Sequence, residues 1–121
     1  MNDDFHALHQ WLNDACRTVA RLEERAQHSV AQDNIPDYVA AMHEKAQFLA
    51  QLAQQGKPLT ASLPASEKNF VQERLERFSY SAQRALELDS VFYMSALLFP
   101  ENHKPGQPND LELFAAEVRD R

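Results

Sequence analysis

The sequence predicts an all-α fold: an up-down-up bundle of three long helices, with a short C-terminal helix packing near the end of the third. Three observations carry that expectation. Apolar residues recur at spacings of three and four over stretches rich in Ala, Gln, Glu and Leu, which is the period of an amphipathic helix and not of a strand. Only 2 glycines occur in 121 residues, Gly56 and Gly106. The 6 prolines, Pro36, Pro58, Pro64, Pro100, Pro105 and Pro108, fall between the periodic stretches and punctuate them. A chain of this length is read as one domain, 1–121, able to bury roughly two thirds of its unfolded surface.

The first helix is expected over 4–31, because Phe5, Leu8, Leu12, Ala15, Val19, Leu22 and Ala26 keep one heptad phase. Trp11 and Cys16 flank that seam, and Arg17, Arg21, Glu24 and His28 lie opposite it. Asp33 or Asn34 can cap a second helix, and Pro36 fits its first turn, where a missing N–H is harmless. That helix is expected over 35–55 on the seam Ile35, Val39, Met42, Ala46, Leu49 and Ala53, with Gly56 as the left-handed residue that ends it. Tyr38, Ala41, Phe48 and Leu52 widen its apolar sector, as for a helix that touches two neighbours.

Ser62 and Pro64 are placed to open a third helix over 64–99, through Val71, Leu75, Phe78, Ala82, Ala85, Asp89, Phe92, Ala96 and Phe99. On its outer face Glu73 precedes Arg77 by four, a favourable ion-pair spacing. After a proline-rich connection, Asn109 and Glu112 form a capping box for the last helix, 110–119, whose apolar face is Leu111, Phe114, Ala115 and Val118.

The stretch 88–99 is apolar nearly all the way round, and such a helix needs cover on every side. At 1.5 Å per residue the third helix would reach about 54 Å, against about 42 Å and about 30 Å for the first two, so its far end overshoots them. Val91, Met94 and Leu98 then form a second apolar stripe away from the seam. The last helix or another chain is expected to cover it, unless a break near Asp89 and Ser90 bends the stretch back. Asp89 is the ionisable member of the seam. It is expected to be buried near the start of the second helix, accepting hydrogen bonds from exposed N–H groups, Tyr38 or Ser29; the competing use is a ligand or metal pocket floored by Asp89 and Tyr93.

Composition narrows the function classes. Lys plus Arg number 12 against 18 for Asp plus Glu, and the formal charge of −6 disfavours nucleic-acid backbones and anionic lipid as partners. The apolar run of 88–99 would span about 18 Å as helix, short of the ~30 Å of a bilayer core. The start Met-Asn-Asp-Asp-Phe has neither the basic residues nor the apolar run of a secretory leader, and Cys16, the only cysteine, reads as a small buried hydrophobe in a reducing cytoplasm. The glycines are not clustered, which argues against phosphate-cradling loops. His6 and His9 beside Asp3 and Asp4 could chelate a metal, although polar residues at a fraying terminus explain them as well. Arg17, Arg21 and Arg25 rise at four-residue spacing but are interleaved with Asp14, Glu23 and Glu24. No Glu-x-x-His pair of a di-iron bundle and no nucleophile elbow occurs. Neither catalytic residues nor a cofactor are expected.

The order of a long, a medium, a very long and a short helix resembles small flagellar export chaperones over most of the chain, a likeness of architecture alone. The function expected from the sequence is a noncatalytic interaction module, adaptor-like or chaperone-like. It binds a protein partner or a second copy of itself through the far end of the third helix and the last helix. Val91, Phe92, Met94, Leu98 and Phe114 are its candidate contact residues. A small-ligand or metal-binding bundle with a pocket near Asp89 is the alternative, and an enzyme of unrecognised type comes third.

Overall fold

The structure is a computed structural model that describes residues 3–121. Among them six helices and no strand occur: α1 (Asp3–Ala31), α2 (Ile35–Ala50), α3 (Leu52–Thr60), α4 (Ala65–Glu87), α5 (Val91–Ala96) and α6 (Asp110–Arg119). The all-α class read from periodicity is the fold. Two of the expected long helices, however, are each broken in two.

Most of the α1 seam is buried as its spacing requires, with Phe5, Leu8, Leu12, Ala15, Val19 and Ala26 all at or below 7% exposure, while Leu22 is only half-buried. At the end of α1, Asp33 takes φ 58°. The Asn34 N–H donates to Ser29 O (2.8 Å) and the Asp33 N–H to Val30 O (3.0 Å), closing a Schellman turn. Asn34 then caps α2 by accepting from the Asp37 N–H, with Pro36 in the first turn. α2 therefore returns antiparallel along α1, and α4 runs antiparallel to α2, as the pairs Lys45–Glu23, Ser79–Leu49 and His43–Asp89 establish. Ile35 is 54% exposed and lies outside the core, contrary to the expected seam, because the turn sets it at the open end of the bundle.

The expected second helix breaks at Gln51, and the cause sits on α4. In an unbroken helix the Ala53 N–H would donate to Leu49 O. Instead the buried Ser79 hydroxyl accepts from the Ala53 N–H (2.9 Å) and donates to Leu49 O (2.9 Å). A side chain inserted into the hydrogen-bond ladder is a recognised cause of a kink. The kink turns α3 between α1 and α4. Gly56 lies inside α3 and does not terminate a helix in the left-handed conformation; a Cβ there would come within 2.8 Å of Leu75 Cδ1 and 2.9 Å of Trp11 Cη2. Its role is close approach. Ser79→Ala takes the acceptor from the part-buried Ala53 N–H and one of its donors from Leu49 O, and is expected to lower stability by about 1–2 kcal/mol in a urea titration.

α4 begins at Ala65 with Pro64 at the cap position and no side-chain cap, so Ser62 does not play the role its sequence position suggested. α4 is 23 residues long, about 34 Å, and so the overshoot predicted for an unbroken 64–99 helix disappears.

α6 is closed by the Asn109–Glu112 capping box, with both hydrogen bonds at 2.9 Å. Its first residue meets the end of the expected third helix, the Asp110 N–H donating to Leu98 O (3.0 Å), and the rest of it runs back towards the start of α4. Its backbone lies against α1, and its Phe114 meets Phe78 and Phe70 of α4, with ring centroids 6.0 and 6.1 Å away. Arg74–Glu117 (3.1 Å) and Arg121–Glu67 extend the antiparallel pairing towards the start of α4. The core is continuous from Phe5, Leu8 and Leu12 through Leu75 and Leu111 to Phe114 and Val118. A smaller cluster of Ala26, Ala41, Met42, Ala46, Ala85 and Met94 lies at the opposite end.

Candidate interaction surface

The surface is built where α4 stops. Asp89 adopts φ 50°, the Ser90 N–H donates to Ala85 O (3.2 Å) and the Asp89 N–H to Leu86 O (3.0 Å), a second Schellman turn. Ser90 then caps α5 by accepting from the Tyr93 N–H (3.1 Å). Aspartate tolerates the left-handed conformation and serine is a strong N-cap, so this dipeptide ends one helix and starts another.

That break reverses the two faces expected of an unbroken helix. Met94 is fully buried among Met42, Ala46 and Ala85, and Leu98 is 7% exposed in the main core. Phe92 is 74% exposed and Tyr93 54%. Of the candidate contact residues, Met94, Leu98 and Phe114 are therefore consumed by the chain's own core and cannot anchor a partner. Val91 is half-buried, and Phe92 stands outward. The stretch is covered by folding back onto α2, since one and a half turns of α5 suffice to bring Met94 over the cluster below it.

Leu98 sits at φ 76° in a tight turn closed by the Phe99 N–H on Ala96 O (3.0 Å), and its own carbonyl accepts from the Asp110 N–H (3.0 Å). A leucine in that region carries roughly 1 kcal/mol of strain, offset by burial of its side chain.

Asp89 is also corrected. Its side chain is 82% exposed, and its carboxylate accepts from His43 Nε2 (3.1 Å) while His43 Nδ1 donates to Val39 O (3.0 Å). Because Asp89 meets His43, two turns into α2, it does not meet the start of that helix. Asp37 takes the role assigned to it: Ser29 donates to the Asp37 carboxylate, and Arg25 holds it at 2.6 Å. Those hydrogen bonds, the Arg25 one foremost, keep the Asp37 carboxyl down at about 2. Arg25 also pairs with Glu44, and Arg17 with Asp14, so two of the three arginines of the stripe are matched by carboxylates, while Arg21 donates to the Thr18 hydroxyl (3.4 Å).

His43 donates from both ring nitrogens, so the imidazolium is the form that fits, and its pKa is raised by the Val39 carbonyl and then by Asp89. A group whose folded pKa is raised contributes fully below its ordinary value of 6.5 and loses that contribution as pH rises through the folded value. Asp89→Asn keeps a residue suited to the left-handed turn and removes the charge. The variant is expected to be less stable than the parent at about pH 6, with the gap closing by about pH 9. A gap that is the same at both pH values contradicts this account.

Between α4 and α5 runs an open groove of about 380 Å³ lined by Tyr80, Ser81, Arg84, Ala85, Leu88, Tyr93, Ala96 and Leu97. Tyr80 is 67% and Leu88 54% exposed. The Phe92 ring meets Tyr93 edge-on at 5.7 Å, which makes Tyr80, Leu88, Tyr93 and Phe92 one contiguous patch. Tyr93 lines this groove and Asp89 does not. Tyr80 and Leu88 were not singled out from the sequence, although Tyr80 falls opposite the seam of α4, where an aromatic residue has no partner within the helix.

Behind the patch lies a buried charge that sequence reasoning missed. Lys45 is 0% exposed; its ammonium pairs with Glu23 Oε2 (3.1 Å), donates to Ser95 O (3.2 Å) and faces the Phe99 ring at 5.0 Å. Burial pushes its pKa down, against the pull of Glu23. This one side chain of α2 therefore fastens α1 to the end of α5. The half-buried Cys16 thiol is raised to about 11, by burial first and by Glu112 second, and stays protonated at neutral pH, unlike a nucleophilic cysteine.

The Asp3 side chain lies outside the described residues. His6 is exposed and His9 lies 3.4 Å from Asn13 Nδ2. No group of three or more metal-ligating side chains occurs among the described residues, and no described helix is long and apolar enough to cross a membrane. No family model, no curated protein and no solved structure matches this chain.

Proposed function

We propose that the chain is a noncatalytic helical interaction module, adaptor-like or chaperone-like, that binds protein through the groove between α4 and α5. One observation carries this reading: Tyr80, Leu88, Tyr93 and Phe92 are more than half exposed and contiguous around one apolar groove. From aromatic and leucine side-chain areas the patch exposes on the order of 500 Å², within the range where a surface patch tends to be functional. A chain with this much aromatic surface gains from covering it, whereas its other large apolar side chains are mostly in the core. The partner would lay an apolar face into the groove with Phe92 as an anchor at its edge. Cys16, held as a thiol, suits a reducing cytoplasm.

The test is a photo-crosslinking amino acid placed at position 92 of the full chain, in the cells that make it, with position 21 on exposed α1 surface as control. Protein adducts from position 92 that are absent from position 21 are the expected result. No adduct from position 92, or equal adducts from both, overturns the proposal.

A further inference from the structure

We infer that the occupant of this groove is a second copy of the chain, paired about a two-fold axis so that Phe92 of each copy enters the groove of the other. This rests on the interaction-module reading above and names its partner. A two-fold interface needs one surface that carries both a projection and the hollow that receives it. Both are present on the same face. Phe92 projects at 74% exposure from the first turn of α5, and it is not itself part of the groove wall. The groove beside it, about 380 Å³ with Ala85, Ala96 and Leu97 as its small or recessed walls, is large enough to take a phenyl ring. Tyr93 stands between projection and hollow, in edge contact with Phe92, and would stack against its own counterpart near the axis.

The rim fits the same partner. Arg84 pairs with Glu87 at 3.1 Å and Arg77 with Glu73 at 2.6 Å, all on exposed α4 surface. Arg84, which lines the groove, and its partner Glu87 therefore put one charge of each sign at the α4 edge, and a two-fold axis can exchange them reciprocally. A strongly acidic or strongly basic partner would find no complementary field there. Each copy carries −6, but that repulsion is screened beyond about 10 Å at 0.1 M salt.

Area gives the size class of the interface and not its affinity. About 500 Å² of apolar side chain per copy, with the charged rim, buries on the order of 1,200 Å² in total, the low end for a specific interface. A reversible pairing, with a dissociation constant of about 1–100 µM, is the expected result. Nothing in the core must open for it to form.

Sedimentation velocity of the full chain from about 1 to 300 µM tests the pairing. A shift from monomer to dimer across that range is expected. Phe92→Asp, at an exposed position, should raise the dissociation constant by about 100-fold or more while leaving the thermal transition unchanged. Val30→Asp, exposed on another face, should leave the dimer intact. A parent chain that is monomeric at every concentration, or a Phe92→Asp variant that dimerises like the parent, overturns the inference. The crosslinker at position 92 separates the two levels. An adduct of twice the chain mass supports both. Adducts with a different protein from a chain that sediments as monomer overturn the second copy and leave the interaction module standing. No adduct from a monomeric chain overturns both.

Discussion

Phe114→Ala is expected to lower stability by about 3–5 kcal/mol, the range for truncating a fully buried aromatic side chain. Phe114 is 0% exposed and its ring fills the space between Phe70 and Phe78, with the Arg74 guanidinium 5.4 Å from its centre. No neighbour can close the gap cheaply. Phe70 is already held beneath the Arg121 guanidinium at 4.2 Å, and Arg74 is tied to Glu117. The consequence is larger than one cavity, because α6 is only 10 residues long and a helix of that length is marginal without tertiary packing. Against a total of 5–15 kcal/mol for a domain, the midpoint should fall by roughly 10–20 °C, and amides of α6 should exchange faster than those of α1. Leu113→Ala, at a position 48% exposed, should change stability by no more than about 0.5 kcal/mol. Equal effects at 113 and 114 would contradict the packing described here.

Where local pattern decides structure, this chain is readable. Phe5 to Ala26 keep one phase because α1 turns one face inward along its length, and the caps at Asn34 and Asn109 use side chains within three residues of the amides they satisfy. The break at Gln51 is invisible from 35–60 because its agent, Ser79, arrives from α4. The break at Asp89 and Ser90 did leave a local trace, a residue tolerant of the left-handed conformation followed by a good N-cap. An apolar periodicity that runs through the break outweighed it. A continuous helix puts Met94 and Leu98 on its outer stripe and Phe92 on the seam, the reverse of what the turn at Asp89 produces. Of the four exposed residues around the groove, Phe92 and Tyr93 are singled out by the sequence, whereas Tyr80 and Leu88 are not. Lys45 also had a trace. It lies four residues from both Ala41 and Leu49, on the widened apolar sector of the second helix, and a lysine on such a stripe needs a carboxylate from elsewhere. Glu23 supplies it from a helix whose alignment with α2 no local pattern gives.

Glu23→Ala should therefore destabilise the chain far more than removal of a surface carboxylate. The Lys45 ammonium is left at 0% exposure with Ser95 O and the Phe99 ring as its remaining contacts. Removing one partner of a buried pair is costly because the other charge stays behind. Glu23 is 23% exposed, so water can partly replace it, and a loss of about 2–4 kcal/mol is expected in place of the upper end for a dry pair. The pH dependence fixes the cause. The pKa of Lys45 is already below its ordinary value of 10.5 through burial, and loss of Glu23 lowers it further. In that window the folded state binds fewer protons than the unfolded state, so stability rises with pH. The deficit of Glu23→Ala relative to the parent should shrink between about pH 7 and pH 10. Replacing both partners, Glu23→Gln with Lys45→Met, removes the buried charge together with its mate and should restore most of the loss. A deficit that does not change with pH, or a double variant as unstable as Glu23→Ala, would mean that Glu23 acts through packing and that the ammonium is hydrated. Because the same lysine holds the Ser95 carbonyl, Glu23→Ala should also loosen α5, and with it the placement of Phe92 and Tyr93. Faster exchange at the amides of α5 in that variant, with those of α6 unchanged, would locate the effect at the surface proposed to bind.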